Sequence, residues 1–90
     1  MYHVIFTPTA IKDVLKLKKS EVGAYKKLES LIDELKEHPY TGTGKPKRLS
    51  NDKTGQWSRR ITHKHRLVYT VEEDRLLVLV LSSAEHYSDK

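Results

Sequence analysis

Apolar and polar positions follow two different periodicities, helical in the first half of the chain and strand-like in the second. Residues 2–6 are a short run rich in β-branched and aromatic residues that stops at Thr7 and Pro8, which is typical of a strand. A helix is predicted to follow, with Thr7 as its N-cap and Pro8 at its first position. The stripe that this helix is expected to bury comprises Ile11, Val14, Leu15 and the stem of Lys18.

A second, longer helix is predicted from near Ser20 to His38, where Pro39 ends it. Its expected buried residues recur at helical spacing and are Ala24, Leu28, Leu31, Ile32 and Leu35. Residues 41–46 then carry two glycines and a proline without any apolar side chain. This segment marks the change from helical to strand periodicity.

The second half of the chain is predicted to consist of strands. The predicted strands span residues 47–50, 56–62, 66–72 and 76–81, with turns at 51–55 and 73–74. In the second of these strands Trp57 and Ile61 are expected on one side, and Ser58 and Arg60 on the other. The order β-α-α-β-β-β-β indicates an α+β fold, with two N-terminal helices packed on one face of a twisted, mostly antiparallel sheet of four to five strands.

Length and composition narrow the class of protein. The 90 residues are enough for one small domain that spans residues 1–90. No apolar run approaches the roughly 18 residues needed to cross a bilayer, and residues 1–6 lack the features of a secretory signal. The chain has no cysteine for a disulfide framework. We therefore expect a cytoplasmic protein with no membrane partner.

Positive charge is concentrated in one segment. The formal net charge is +5, yet between residues 45 and 66 a single carboxylate, Asp52, stands among eight cations: Lys45, Lys47, Arg48, Lys53, Arg59, Arg60, Lys64 and Arg66. Such a patch attracts a polyanion, for example nucleic acid, through Coulomb steering and counterion release. The same charges are also consistent with a solvated basic face that serves solubility alone.

The histidines do not have the spacing of a metal site. His63 and His65 are two residues apart, but no third histidine, carboxylate or cysteine follows nearby. We expect neither a metal nor a cofactor.

Instead, the basic segment and the C-terminal Glu85-His86-Tyr87 supply the groups that metal-free RNA cleavage needs, namely a base, a cation and an acid. His86 can exchange a proton near neutral pH, Arg66 can hold a phosphate through two hydrogen bonds, and Tyr87 can stack on a base or donate a hydrogen bond. Each residue also has a structural alternative, because His86 and Tyr87 could cover the end of the sheet and Arg66 could be an ordinary surface arginine.

Four sequence blocks carry a family resemblance. In chain order they are Gly42-Thr43-Gly44-Lys45-Pro46, Gly55-Gln56-Trp57-Ser58-Arg59-Arg60-Ile61-Thr62, His65-Arg66-Leu67-Val68-Tyr69 and His86-Tyr87. Together they resemble the signature blocks of the YoeB (Txe) branch of the RelE/ParE toxin superfamily, the toxins of type II toxin–antitoxin systems. The first forty residues resemble the family only in carrying a strand and two helices of the right length.

The resemblance implies a RelE-like fold and a ribosome-dependent mRNA endoribonuclease, which cuts the message in the ribosomal A site by 2′-hydroxyl attack and leaves a 2′,3′-cyclic phosphate. It implies that His86 is the general acid, that Arg66 stabilises the phosphate, that Tyr87 positions the substrate and that Arg60 contacts RNA. The implied partners are a cognate YefM-like antitoxin, the ribosome and mRNA, and a homodimer stays open. The other predicted RNA contacts are Lys45, Arg48, Arg59 and His65.

One position departs from the family pattern. YoeB-like toxins carry a glutamate, proposed as the general base, directly after the G-x-G-K-P block, whereas this chain has Lys47. A protonated lysine cannot accept the 2′-hydroxyl proton, so Lys47 could act as the base only if the neighbouring cations favour its neutral form. Alternatively His63 or His65 is the base and Lys47 binds phosphate, or the chain is a weakened nuclease.

Two other functions stay open. The chain could be a non-catalytic inhibitor similar to the ParE toxins, which share the fold and act on DNA gyrase, although the His86-Tyr87 end argues against this. It could also be a binding module whose basic face holds an antitoxin or RNA without cleaving it.

Overall fold

The computed structural model describes residues 1–44, 46–48 and 55–82, and in these residues two helices pack on a five-stranded sheet. The elements are β1 (His3–Phe6), α1 (Pro8–Ser20), α2 (Val22–Glu37), β2 (Lys47–Arg48), β3 (Trp57–Arg60), β4 (Arg66–Glu72) and β5 (Leu77–Ser82). The predicted α+β class and the predicted element order are confirmed. No helix in these residues is long and apolar enough to cross a membrane.

The strand order in the sheet is β1-β5-β4-β3-β2. Three pairings are antiparallel, since β2 to β5 follow one another along the chain, and β1 pairs with β5 in parallel. The sheet is therefore mostly antiparallel, as predicted. The parallel pair follows from the helical hairpin, which returns the chain to the far edge of the sheet before β2 begins.

Side-chain alternation divides the sheet into two faces. Trp57, Leu67 and Tyr69 face the helices and pack in the core. The opposite face of β2, β3 and β4, here called the distal face, carries Lys47, Ser58, Arg60, Arg66 and Val68. The predicted split of β3, with Trp57 and Ile61 on one side and Ser58 and Arg60 on the other, agrees with this arrangement.

The start of α1 and the end of α2 lie where the local sequence predicts. The Thr7 hydroxyl accepts a hydrogen bond from the backbone N–H three residues later at 3.1 Å, with Pro8 at the first helical position. The second helix has His38 as its C-cap, directly before Pro39. The Thr7 cap satisfies one of the otherwise unpaired N–H groups at the start of α1.

The buried face of α1 agrees with the prediction at Val14 and differs from it at Ile11 and Leu15. Ile11 and Leu15 are 49% and 59% exposed, whereas Ala10 and Leu17 are buried and Val14 is partly buried against the core. Ala10, Val14 and Leu17 have the i, i+4, i+7 spacing of one helical stripe. The small Ala10 side chain lets the helix approach the sheet, so the stripe is rotated by about one residue from the predicted one.

The core lies between the helices and the sheet. The predicted residues of α2 are confirmed, since Ala24, Leu28, Leu31 and Leu35 are buried and Ile32 is partly buried. They meet sheet residues that include Leu67, Tyr69, Val78 and Val80. Burying one such leucine contributes about 1.5–3 kcal/mol, so this layer supplies much of the stability that fixes the sheet.

Several strand ends differ from the prediction. The strand β3 stops at Arg60 because Ile61 and Thr62 both donate backbone hydrogen bonds to the His65 carbonyl, at 2.9 and 3.2 Å, and so close a turn. The strand β5 begins one residue late because Leu76 has a φ of 48° in the preceding turn. The predicted strand residues 49–50 and turn residues 51–54 lie outside the described part of the chain.

Candidate nucleic-acid interface

Three of the predicted site residues form a row on the distal face. Arg60 lies directly opposite Arg66 in the β3–β4 pair, and Lys47 lies opposite Ser58, two residues before Arg60. Directly opposite residues in an antiparallel pair point to the same side with Cβ atoms about 4.5–5.5 Å apart. Lys47, Arg60 and Arg66, here called the cationic row, therefore cross β2, β3 and β4 on one surface.

The cationic row has the charges and hydrogen-bond donors that an anion would require. Lys47 and Arg60 are exposed and Arg66 is half-buried. None of the three has an ion-pair partner in the described residues, where the salt bridges involve other cations. Like charges placed side by side on a sheet are destabilising unless an anion neutralises them. Arginine can hold phosphate oxygens through paired hydrogen bonds, so the row suits a nucleic-acid backbone.

Arg59, which was predicted to contact RNA, is instead fully buried on the helix side of the sheet. Its guanidinium forms an ion pair with Glu34 Oε1 at 2.9 Å and its Nε donates to the Tyr69 hydroxyl at 3.2 Å. It also donates to three backbone carbonyls that follow α2, those of His38, Thr41 (2.8 Å) and Thr43 (3.4 Å). The structure thus corrects the prediction, because no donor of Arg59 is directed to a surface that RNA could reach.

We call this buried group the Arg59 clamp; it comprises Arg59, Glu34, Tyr69 and the backbone of residues 38–43. The Tyr69 hydroxyl donates to the Pro39 carbonyl at 2.7 Å, and Glu34 Oε1 accepts from the Thr43 N–H at 2.8 Å. Hydrogen bonds from Thr43, together with the charge of Arg59, hold the pKa of the Glu34 carboxyl below its ordinary value despite desolvation. Burial raises the pKa of the Tyr69 hydroxyl, against the opposing effect of Arg59. The clamp is therefore charged and hydrogen-bonded throughout.

The two glycines of the G-x-G-K-P block are required by the packing around the clamp. Gly42 has a φ of 116°, and a Cβ there would overlap Glu34 Oε1. Gly44 has a φ of 84°, and a Cβ there would lie 2.9 Å from the Arg60 carbonyl oxygen and 3.2 Å from Arg59 Cβ. The Gly44 carbonyl accepts a hydrogen bond from the Arg60 N–H at 2.8 Å. The block therefore brings the chain into β2 directly against β3.

His65 also differs from its predicted role. It is 4% exposed, and its Nε2 lies 3.0 Å from Glu21 Oε2 at the junction of the two helices. The hydrogen bond from His65 holds the pKa of the Glu21 carboxyl below its ordinary value. His65 consequently faces away from the cationic row, which corrects its assignment as an RNA contact and argues against it as the general base. His63 is exposed in the turn that leads into β4.

The remaining predicted residues divide into two groups. Arg48 is exposed, but it lies opposite Trp57 and so belongs to the side of the sheet away from the cationic row. Lys45, His86 and Tyr87 lie outside the described residues, and their roles stay predictions. Within the described ranges no group of three or more histidine, aspartate or glutamate side chains has the geometry to hold a metal ion.

A groove of about 410 Å³ lies on the other side of the molecule, between the helices and β1. Its apolar lining includes Phe6, Val14, Leu28 and Ile32. None of the predicted site residues contributes to it. The groove is therefore separate from the cationic row.

The fold is shared with a class of small toxins. A solved YoeB/ParE toxin from Agrobacterium tumefaciens is similar, with a TM-score of 0.87 and 33% identity over 94% of this chain and 99% of that one. The YoeB of Staphylococcus aureus is similar as a dimer (TM-score 0.83, 33% identity, 96% of this chain and 98% of that one) and in a heterotetrameric YoeB–YefM toxin–antitoxin complex (TM-score 0.81, 33% identity, 97% and 99%).

Sequence comparison narrows the class to one family. The family model of the YoeB-like toxin of bacterial type II toxin–antitoxin systems matches residues 6–87. Toxin YoeB of Escherichia coli K12 is 39% identical over 75 residues, which are 83% of this chain and 89% of that protein. The chain belongs to the YoeB-like toxin family, and the resemblance found in its sequence blocks is confirmed.

Proposed function

We propose that this toxin is a ribosome-dependent endoribonuclease that cleaves mRNA in the ribosomal A site and so inhibits translation in the cytoplasm. The cationic row carries the proposal, because it presents Lys47, Arg60 and Arg66 side by side on an accessible surface of the sheet. Family membership supports the same conclusion. A binding module alone would not need the general acid that we propose for His86.

The proposed reaction is a transesterification within the RNA, for which the chain supplies the acid and the base. A base removes the 2′-hydroxyl proton, the 2′-oxygen attacks the adjacent phosphorus, and the P–O5′ bond breaks as His86 protonates the leaving 5′-oxygen. The products are a 2′,3′-cyclic phosphate and a 5′-hydroxyl. Arg66 and Arg60 would hold the non-bridging oxygens, whose negative charge grows in the transition state. Tyr87 would position the substrate.

The base is assigned to one of two groups. Burial and the bond to Glu21 remove His65 from the alternatives. Lys47 lies in the cationic row, at the position where the family carries glutamate, and His63 is exposed at the start of the turn before β4.

The proposed partner is a YefM-like antitoxin that covers the cationic row. The S. aureus YoeB–YefM complex supports this partner. An acidic, partly disordered segment that folds across the row would neutralise its charge and exclude RNA from it. The S. aureus dimer supports a homodimer of the free toxin in the same way.

The test is primer-extension mapping of an mRNA in a purified translation system. The parent, His86→Ala, Arg66→Ala and Lys47→Glu are compared, with Arg75→Ala as a matched control because Arg75 is an exposed arginine paired with Glu72 outside the row. We expect ribosome-dependent cuts with the parent and Arg75→Ala, and a loss of about 10²–10³-fold with Arg66→Ala. Faster cutting by Lys47→Glu would mark residue 47 as the base position.

The opposite results are equally informative. If the parent leaves mRNA whole on ribosomes, the nuclease proposal is wrong. Gyrase supercoiling measured with the same preparation then decides between a ParE-like inhibitor and a binding module. If His86→Ala cuts as fast as the parent, the general acid lies elsewhere.

A further inference from the structure

We infer that Arg59 is a positioning residue, which holds β2 in place so that Lys47 stays in register with Arg60 and Arg66. This inference rests on the proposed function, since it concerns the geometry of the same cationic row. Arg59 touches no substrate in this arrangement, because it is fully buried on the opposite side of the sheet. It acts through the loop that precedes β2.

The first step of the argument is the hydrogen bonding of the buried guanidinium. Burying a charged group is unfavourable unless it is paired and its donors are satisfied. Arg59 meets that condition because it bonds to the Glu34 carboxylate, the Tyr69 hydroxyl and three backbone carbonyls. The three carbonyls lie in residues 38–43. No other side chain combines five donors in a rigid planar fork. The loop is therefore fixed by Arg59 at three points along its backbone.

The second step connects this loop to the cationic row. The loop ends at Gly44, whose carbonyl accepts from the Arg60 N–H at 2.8 Å. Three residues later Lys47 pairs with Ser58 in the β2–β3 ladder. Within the described residues the β2–β3 ladder comprises two residue pairs, so the contacts of the preceding loop contribute to holding β2 in position. The anchor is provided by Arg59, whose neighbour Arg60 is itself a member of the row.

The third step concerns the consequence for catalysis. A displacement of about 1 Å in a catalytic group can cost about 10²-fold in rate, even when the altered residue lies away from the chemistry. Loss of the clamp would move Lys47 relative to the two arginines but leave all three charges in place. The turnover number should therefore fall, whereas the KM for the ribosome-bound message should change little.

The kinetic test uses two variants. Arg59→Lys keeps the positive charge but lacks the planar guanidinium with its five donors, and Glu34→Gln keeps the side-chain shape but lacks the negative charge. We expect kcat on programmed ribosomes to fall about 10- to 100-fold for both variants. The KM should stay within about threefold of the parent, because all three charges of the cationic row remain. The control is Leu17→Ala, a substitution in the core part of α1. Leu17 lies about one turn before the start of α2, whereas the loop follows the end of α2. It should lower stability and leave kcat unchanged below its unfolding temperature.

A second readout does not depend on cleavage. Amide hydrogen exchange should accelerate at Thr43 and Arg60 in Arg59→Lys, because their N–H groups bond within the clamp and to Gly44. Exchange in the β4–β5 ladder should stay at the parent rate. A double-mutant cycle on the affinity for a short single-stranded RNA adds a further measure: Lys47→Met should weaken binding less in the Arg59→Lys background than in the parent.

The outcomes separate this inference from the proposed function. If the parent does not cleave mRNA, the proposed nuclease is wrong, and the exchange rates and the double-mutant cycle still decide whether Arg59 holds β2. The inference is overturned if the two clamp variants keep the parent kcat or lose no more than Leu17→Ala. Uniformly faster exchange across the sheet, or fully additive effects of Arg59→Lys and Lys47→Met on RNA affinity, would also overturn it.

Discussion

Substitution of Gly44 by alanine provides a quantitative test of how tightly the G-x-G-K-P block packs against β3. The φ of 84° at this position costs a residue with a Cβ about 1–2 kcal/mol. The added Cβ would also lie 2.9 Å from the Arg60 carbonyl oxygen and 3.2 Å from Arg59 Cβ, neither of which is the end of a flexible side chain. Overpacking of this kind costs typically about 1–3 kcal/mol. We therefore expect Gly44→Ala to lower the free energy of unfolding by about 2–5 kcal/mol.

Two other glycines separate the two contributions. Gly55 has a φ of 74°, but a Cβ added there would have no described atom within 4 Å, so Gly55→Ala should cost about 1–2 kcal/mol from backbone strain alone. Gly23 lies in α2, where an added Cβ would also have no described atom within 4 Å, and Gly23→Ala should stabilise the protein by about 0.5–1 kcal/mol.

The assay is urea unfolding followed by circular dichroism, with all three variants at one pH and temperature. The expected order of stability is Gly23→Ala above the parent, then Gly55→Ala, then Gly44→Ala. For a domain of this size a change of 1 kcal/mol shifts the Tm by about 4–8 °C. The differences in stability among the variants should therefore also appear in thermal unfolding. If Gly44→Ala is no less stable than Gly55→Ala, the close approach of Gly44 to β3 has no energetic consequence and the packing argument fails.

Two further predictions concern the buried network. Tyr69→Phe should destabilise the protein by about 1–3 kcal/mol, because the Pro39 carbonyl and Arg59 Nε each lose a buried partner. Urea unfolding should show a smaller loss of stability for Tyr2→Phe, because the Tyr2 hydroxyl forms its hydrogen bond at the surface. Equal losses for the two variants would contradict the reasoning. The lowered pKa of Glu34 means that its stabilising effect is fully present above the ordinary value of 4.5 and is lost as the pH falls through the lower native-state pKa. The stability difference between the parent and Glu34→Gln, measured at pH 7 and pH 3, should therefore shrink in acid, and a difference that does not depend on pH would refute the assignment.

The case of Arg59 shows which part of the site could be predicted from the sequence. The alternation that placed Trp57 and Ile61 towards the helices also places Arg59 there, since it lies midway between them on the strand. Its charge suggested a surface position, because arginine is seldom fully buried. The periodicity of the strand was therefore the better guide. The partners that make burial tolerable could not be predicted, because Glu34 and the carbonyls of residues 38–43 are 16 to 25 positions away in the chain.

The helices show the same division between local and tertiary information. The capping of α1 by Thr7 was predictable because it depends on residues three positions apart. Which of two neighbouring apolar stripes on α1 faces the sheet depends on the shape of the opposite surface. Ala10 gives a weak hydrophobic signal in the sequence because its side chain is small. Its small size is also what allows α1 to pack closely on the sheet.

The parallel pairing of β1 with β5 has a consequence for synthesis of the toxin. In the described residues β1 pairs only with β5, whose residues 77–82 are made more than seventy positions after His3. A nascent chain therefore cannot complete the sheet until β5 has left the ribosome, even though both helices and β1 are made first. An incomplete product lacks the strand that joins β1 to β4, together with the core residues Val78 and Val80, so its helices and sheet cannot form the complete core. Premature termination of synthesis would consequently yield chains without a complete core, which are open to proteolysis.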